Sequence, residues 1–195
     1  MEVVRGFARR DAGTVAGFEK LEFAHVGDPA LRTTLAATLY GARWIYGLSK
    51  ATLVDGMERS AHIRTQLIDY AAIVEALLGE SLRHAVIKGY LQGQAHRFKD
   101  PPKNAQTTAL LTPTNVDDVL PKRSFYWYIA VASDEAIIDD DLRRDAQWLR
   151  GTRNAVHLFE KAKTGGDYYL RSSRRAWRVV NQTVAATKAW RITHP

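Results

Sequence analysis

The chain has 195 residues, 46% of them hydrophobic, which suits one domain with a core and is too apolar for a disordered chain. Cysteine is absent, which excludes disulfides and thiolate metal sites, and no apolar run reaches the length of a membrane-spanning helix. The formal charge of +7 favours polyanionic partners, nucleic acid first, and much of the excess sits late: residues 164–195 carry six Lys/Arg against Asp167 alone.

Residues 1–30 are weakly periodic and predict an N-terminal arm or a short packed extension. Their first ten residues contain no apolar signal core, so a cytoplasmic location is the expectation. Gly27-Asp28-Pro29 reads as a turn ahead of a helix over about 31–50, in which Leu35, Leu39, Ala42 and Tyr46 recur at helical spacing. Residues 56–78 predict the clearest helix of the first half, with Ile63, Leu67, Tyr70, Val74, Leu77 and Leu78 as its stripe. Gly79 then reads as a stop, and Leu82–Leu91 as a separate short helix.

Residues 98–118 contain Pro101, Pro102 and Pro113 among polar residues and predict one long loop within a single bundle domain spanning 31–195. Residues 124–132, rich in aromatic and β-branched side chains, suit a strand by composition. Pro121 and a capping Ser124 suit a buried helix, and no second strand candidate exists to pair with, so the helix is preferred. Asp139-Asp140-Asp141 opens a helix expected to reach about Lys163 and to stop at Gly165-Gly166. The last helix, 167–191, places Ala176, Val180, Thr183, Val184 and Thr187 on one side. Arg171, Arg174, Arg175 and Arg178 fall on the other, within a sector of about 100°. The fold class is therefore all-α, a helical bundle with one long proline-containing loop. The five tryptophans are expected as core or interface anchors.

Arg150, Arg153, Asn154 and His157 lie at offsets 0, 3, 4 and 7, which on a helix share one face. Two guanidiniums, an amide and an imidazole so arranged suit a phosphate target. Arg150-x-x-Arg153-Asn154-x-x-His157, with the run-up from Ile137 to Leu149 and the upstream helix Arg64–Glu75, resembles the HEPN domains (higher eukaryotes and prokaryotes nucleotide-binding) over roughly residues 57–191. The resemblance implies a bundle, often dimeric, whose active members bring two motifs face to face across protomers and cut RNA without metal or other cofactor. That family's motif is an Arg, usually followed by a polar residue, with four to six residues before His. Here Arg153 has the polar neighbour but only three intervening residues, and Arg150 has six but is followed by Gly151.

The expected chemistry uses the 2′-hydroxyl of RNA as nucleophile. His157 carries the proton, Arg150 and Arg153 hold the scissile phosphate, and Asn154 orients the His157 ring or a ribose hydroxyl. Glu75 and Arg64 border the apolar stripe of the upstream helix. Glu75 is expected either to position one of the motif arginines or to form an ordinary ion pair that fixes helix packing. Asp69 points away from the stripe and is expected in solvent. Arg171, Arg174, Arg175 and Arg178 offer a track for an RNA backbone, with Tyr168, Tyr169 and Trp177 near enough to stack on bases.

Two functions follow as expectations. The first is a metal-independent endoribonuclease, a toxin or defence effector, acting as a homodimer. The second is a non-catalytic helical subunit that binds RNA or a protein partner, as in a toxin–antitoxin or defence complex. No helix-turn-helix pattern favours DNA, and no metal-type or phosphate-loop spacing is present.

Overall fold

The computed structural model describes residues 2–91, 111–155 and 170–195, and within them every regular element is helical. In chain order these are α1 (Glu2–Arg10), α2 (Val15–Leu21), α3 (Pro29–Ala51), α4 (Gly56–Ile87), α5 (Val116–Val119), a single 3-10 turn (Leu120–Lys122), α6 (Phe125–Asp134), α7 (Asp140–Asn154) and α8 (Leu170–Thr193). None of these helices is long and apolar enough to cross a membrane.

Helix α4 is the axis of the bundle, with α3, α6, α7 and α8 packed around it. Its buried positions, among them Ile63, Leu67, Tyr70, Val74, Leu77, Leu78, Leu82 and Val86, spread over much of its circumference, as a helix surrounded by others requires. The separate helices expected on either side of Gly79 are in fact this one element. Gly79 keeps helical φ because nothing there demands a left-handed residue, and its bare face packs against the Tyr128 ring, which a Cβ would meet at 3.6 Å. Burial of Leu77, Leu78 and Leu82 outweighs the cost of about 0.5–1 kcal/mol for a glycine inside a helix. The stop comes ten residues later. Gly89 takes φ +75°, its N–H donates to the Val86 carbonyl, and the N–H of Tyr90 donates to that of Ala85, closing a Schellman turn.

Several helix starts have the capping chemistry their residues predict. Asp28 accepts from the N–H groups of Ala30 and Leu31, with Pro29 in the first turn of α3. Ser124 accepts from Trp127 N–H and starts α6, whose residues Phe125, Trp127, Ile129, Val131 and Ala132 are buried. The apolar run is thus a helix, hydrophobic enough on all sides to sit inside. Asp139 caps α7 through Leu142 N–H, and Asp140 and Asp141 pair with Arg143 and Arg144 one turn on.

Residues 2–21 form two short helices that lie on α3. The contact between α1 and α3 is backbone-close. A Cβ on Gly47 would meet the Ala8 carbonyl oxygen at 2.6 Å. The long loop is shorter than expected at its far end, since α5 begins at Val116, with Thr112 N–H donating to the Asn115 side chain just before it. Loop residues 98–110 lie outside the described residues, as does the expected end of the α7 helix with Lys161, Lys163, Gly165 and Gly166. Helix α7 is described to Asn154, with Ala155 as its cap.

Candidate functional site

Arg150, Arg153 and Asn154 stand in the last turn and a half of α7, above the buried Leu149 that ties this end to the core. Asn154 is exposed, and the two arginines are half-buried. The Arg150 Nε donates to Gln147 Oε1 at 2.9 Å, and its guanidinium lies over the Tyr126 ring of α6, 5.3 Å from the centroid. Arg153 turns toward α4 and pairs with Glu75, Nη1 to Oε2 3.3 Å. Helix α7 therefore presents three of the four motif residues. The fourth, His157, lies outside the described residues.

Glu75 is the partner of Arg153, and Arg64 is not brought to the site. Arg64 sits eleven positions earlier on α4, about 16 Å along the helix axis. Burial pushes the Glu75 carboxyl above its ordinary range, and Arg153 pulls part of that shift back. Tyr128, close enough for the Glu75 charge to act on it, is pushed up to about 12, mainly by burial, and its hydroxyl donates to the Leu120 carbonyl at 2.7 Å. Glu75 also lines an open cleft of about 510 Å³ between α4 and the segment 116–123. The ionisable lining there is Asp28, Glu75, Glu80 and Asp117 against Arg83 and Arg123, and Arg83 and Asp117 are joined by two hydrogen bonds. That balance disfavours a polyanion in the cleft itself and leaves the end of α7, with Arg150, Arg153 and Asn154, as the surface a phosphate can approach.

The basic residues of α8 do not act alike. Arg171, Arg174 and Arg178 are exposed. Arg175 is drawn to α7, where its guanidinium donates twice to Asp145 Oδ1, at 2.6 and 3.2 Å, and lies 4.1 Å from the Trp148 ring centroid. It ties the two helices together. The stripe of Ala176, Val180, Thr183, Val184 and Thr187 is buried as its spacing implies. Trp177 packs against Tyr70, ring centroids 5.9 Å apart, with Arg43 above it, and so lies within the fold. Tyr168 and Tyr169 lie outside the described residues. Asp69 is half-buried, with its carboxyl shifted up by desolvation, and the expectation of a solvated side chain is corrected on that ground.

A second group of residues, outside the α7 motif, surrounds two adjoining cavities where α1, α3, α4 and α8 meet. Arg43, Tyr46, Gly47 and Lys50 of α3 face it. Its one legible signal was the set of offsets 0, 3, 4 and 7, identical to those of the α7 motif. Among the described residues, no cluster of three His, Asp or Glu is placed to hold a metal ion.

Comparison of the chain with protein-family models, with curated proteins and with solved structures gives no match.

Proposed function

We propose that the chain is a metal-independent endoribonuclease that works with the end of α7. The observation that carries this reading is the pair of guanidiniums set on neighbouring helices: Arg153 against Glu75, and Arg150 over Tyr126. Side chains held this way lose little freedom when a phosphate arrives, so more of each new hydrogen bond appears as transition-state stabilisation. His157, two positions beyond the cap of α7, takes the 2′-hydroxyl proton. The 2′-oxygen attacks phosphorus, the bond to the 5′-oxygen breaks, and that oxygen is protonated as it leaves. The ends produced are a 2′,3′-cyclic phosphate and a 5′-hydroxyl. A second copy of the chain, related by a two-fold axis, supplies the other proton carrier. The surplus of positive charge, +7 overall, draws the substrate in. A role as toxin or defence effector fits this activity.

The test is incubation of purified protein with single-stranded RNA in EDTA. Wild type cleaves. His157→Ala is slower by about 10²–10⁴-fold and Arg153→Ala by about 10²–10³-fold, while DNA of the same sequence survives. Equal rates in all three proteins overturn the assignment.

One observation favours a second reading, a helical subunit that binds RNA or a protein without cutting: the Arg153 charge is already met by Glu75. That reading expects RNA retained intact by wild type, with affinity falling steeply as salt rises. Retention indifferent to salt marks a protein partner.

A further inference from the structure

Two cavities of about 280 and 390 Å³ lie side by side between α3, α4 and α8, and Tyr46, Lys50 and Arg174 line both. The first is walled by aromatic rings, Phe7, Tyr46, Tyr70 and Trp177, and the second by Leu53, Val54, Ile63 and Leu170. Four cations face these spaces, Arg43, Lys50, Arg59 and Arg174, against the single carboxylate of Asp11. Two of the four are held by the protein. Arg43 donates to the Asp11 carbonyl and lies over the Phe18 and Trp177 rings, and Arg59 Nε donates to the Val54 carbonyl. The other two, Lys50 and Arg174, are exposed at the junction; the Lys50 ammonium lies 5.5 Å from the Tyr46 ring centroid, and among the described residues neither cation is paired with a carboxylate.

Two further features belong to the same place. Between the cavities lies the buried Ser173 hydroxyl, which donates to the side-chain oxygen of the buried Gln66. Ser173 lines one space and Gln66 the other. At the rim, Leu53 is 85% exposed and held at φ +52°, a left-handed backbone region that is unfavourable for a leucine. An apolar side chain kept in solvent on a strained backbone beside an apolar hollow is suited to being covered.

We propose that this double cavity binds a small organic anion with an aromatic or aryl-alkyl body. The charged group, a carboxylate or a phosphate monoester, sits between Lys50 and Arg174. The ring fills the chamber of Tyr46, Tyr70 and Trp177, and the remainder runs toward Leu53. Apolar walls supply most of the affinity and the two exposed cations supply the orientation, the usual division of labour in a small-molecule site. Apart from Arg174 and Trp177, none of these residues was placed on a surface for RNA, and none belongs to the α7 motif, so this site and the ribonuclease reading stand or fall separately.

The test uses the full chain and the fluorescent probe 1-anilinonaphthalene-8-sulfonate. Wild type binds it at one saturable site. The Lys50→Ala/Arg174→Ala double variant, both positions being exposed, keeps its circular dichroism and melting temperature and binds the probe at least tenfold more weakly. 2-Naphthoate and 2-naphthyl phosphate displace the probe, and the more potent of the two identifies the anion the junction prefers. Neutral 2-naphthalenemethanol displaces it at least tenfold less effectively. Absence of saturable binding to wild type, undiminished binding to the folded double variant, or equal displacement by the neutral compound overturns the proposal.

Discussion

Helix α3, with Arg43, Tyr46 and Gly47, and helix α7, with Arg150, Arg153 and Asn154, carry residues at the same spacing, and the bundle treats them differently. On α7, Arg150 and Arg153 meet a ring and a carboxylate from neighbouring helices, so both cations are oriented and one is largely neutralised. On α3, Gly47 lets the α1 backbone come close, and Lys50 is left at a junction of two cavities with no carboxylate paired to it among the described residues. Spacing decides which side chains share a face. The neighbour opposite that face decides whether a charge is anchored, cancelled or available.

The comparison can be broken first at its foundations. Leu149→Ala removes a fully buried side chain from beneath the α7 face and is expected to cost about 2–5 kcal/mol in urea unfolding. A cost near zero would mean that α7 is not seated as described. On the other side, Gly47→Ala puts a methyl 2.6 Å from the Ala8 carbonyl oxygen, so α1 must shift. About 1–3 kcal/mol of stability is lost, with weaker probe binding and unchanged RNA cleavage. If RNA cleavage fell with probe binding, the two regions would be one functional unit.

Smaller effects sharpen the contrast through pH. His25 belongs to neither region and serves as the reference. Burial, reinforced by Arg191 and Lys188, lowers it to about 4, and its Nε2 shares a hydrogen bond with Thr187 Oγ1. Its folded pKa lies below the unfolded one, so stability is full above about pH 6.5 and is lost as pH falls toward 4. After allowance for partial exposure the loss is about 1–2 kcal/mol, and His25→Gln flattens it in a series of urea melts. Glu75 behaves oppositely. Its folded pKa is raised, so its contribution is present at low pH and is lost as pH climbs through the window above the ordinary glutamate range. Arg153→Ala removes the one charge that opposes the shift. The window extends upward, and stability at pH 7 falls by about 0.5–1 kcal/mol, a small effect because the pair is partly exposed. Glu75→Gln abolishes that slope, and a slope that persists in Glu75→Gln belongs to another group.

Much of the site was legible where local rules govern. Glu75 stood out as a carboxylate at the border of an apolar stripe, and it does meet Arg153, because a half-buried charge seeks the nearest opposite charge. Arg175 misled, since a cation on the polar side of an amphipathic helix is expected in solvent. Only the arrival of Asp145 and Trp148 from α7 turns it inward. Trp177, expected as a core or interface anchor, packs against Tyr70 and does not stand out for stacking on bases. Tyr46 and Lys50 share a cavity wall with Trp177, which lies 127 or more positions further along the chain, and no local pattern announces such a meeting.

The amino-acid order alone determined an all-helical chain: its apolar spacing, its Asp28, Ser124 and Asp139 caps and its missing partner strands are properties of a few consecutive residues. Tertiary packing decided the rest. It ran α4 straight through Gly79, chose which arginines are anchored and which are exposed, and opened the paired cavities. Each of those outcomes depends on what a distant helix presents, and that information exists only once burial has brought the helices together.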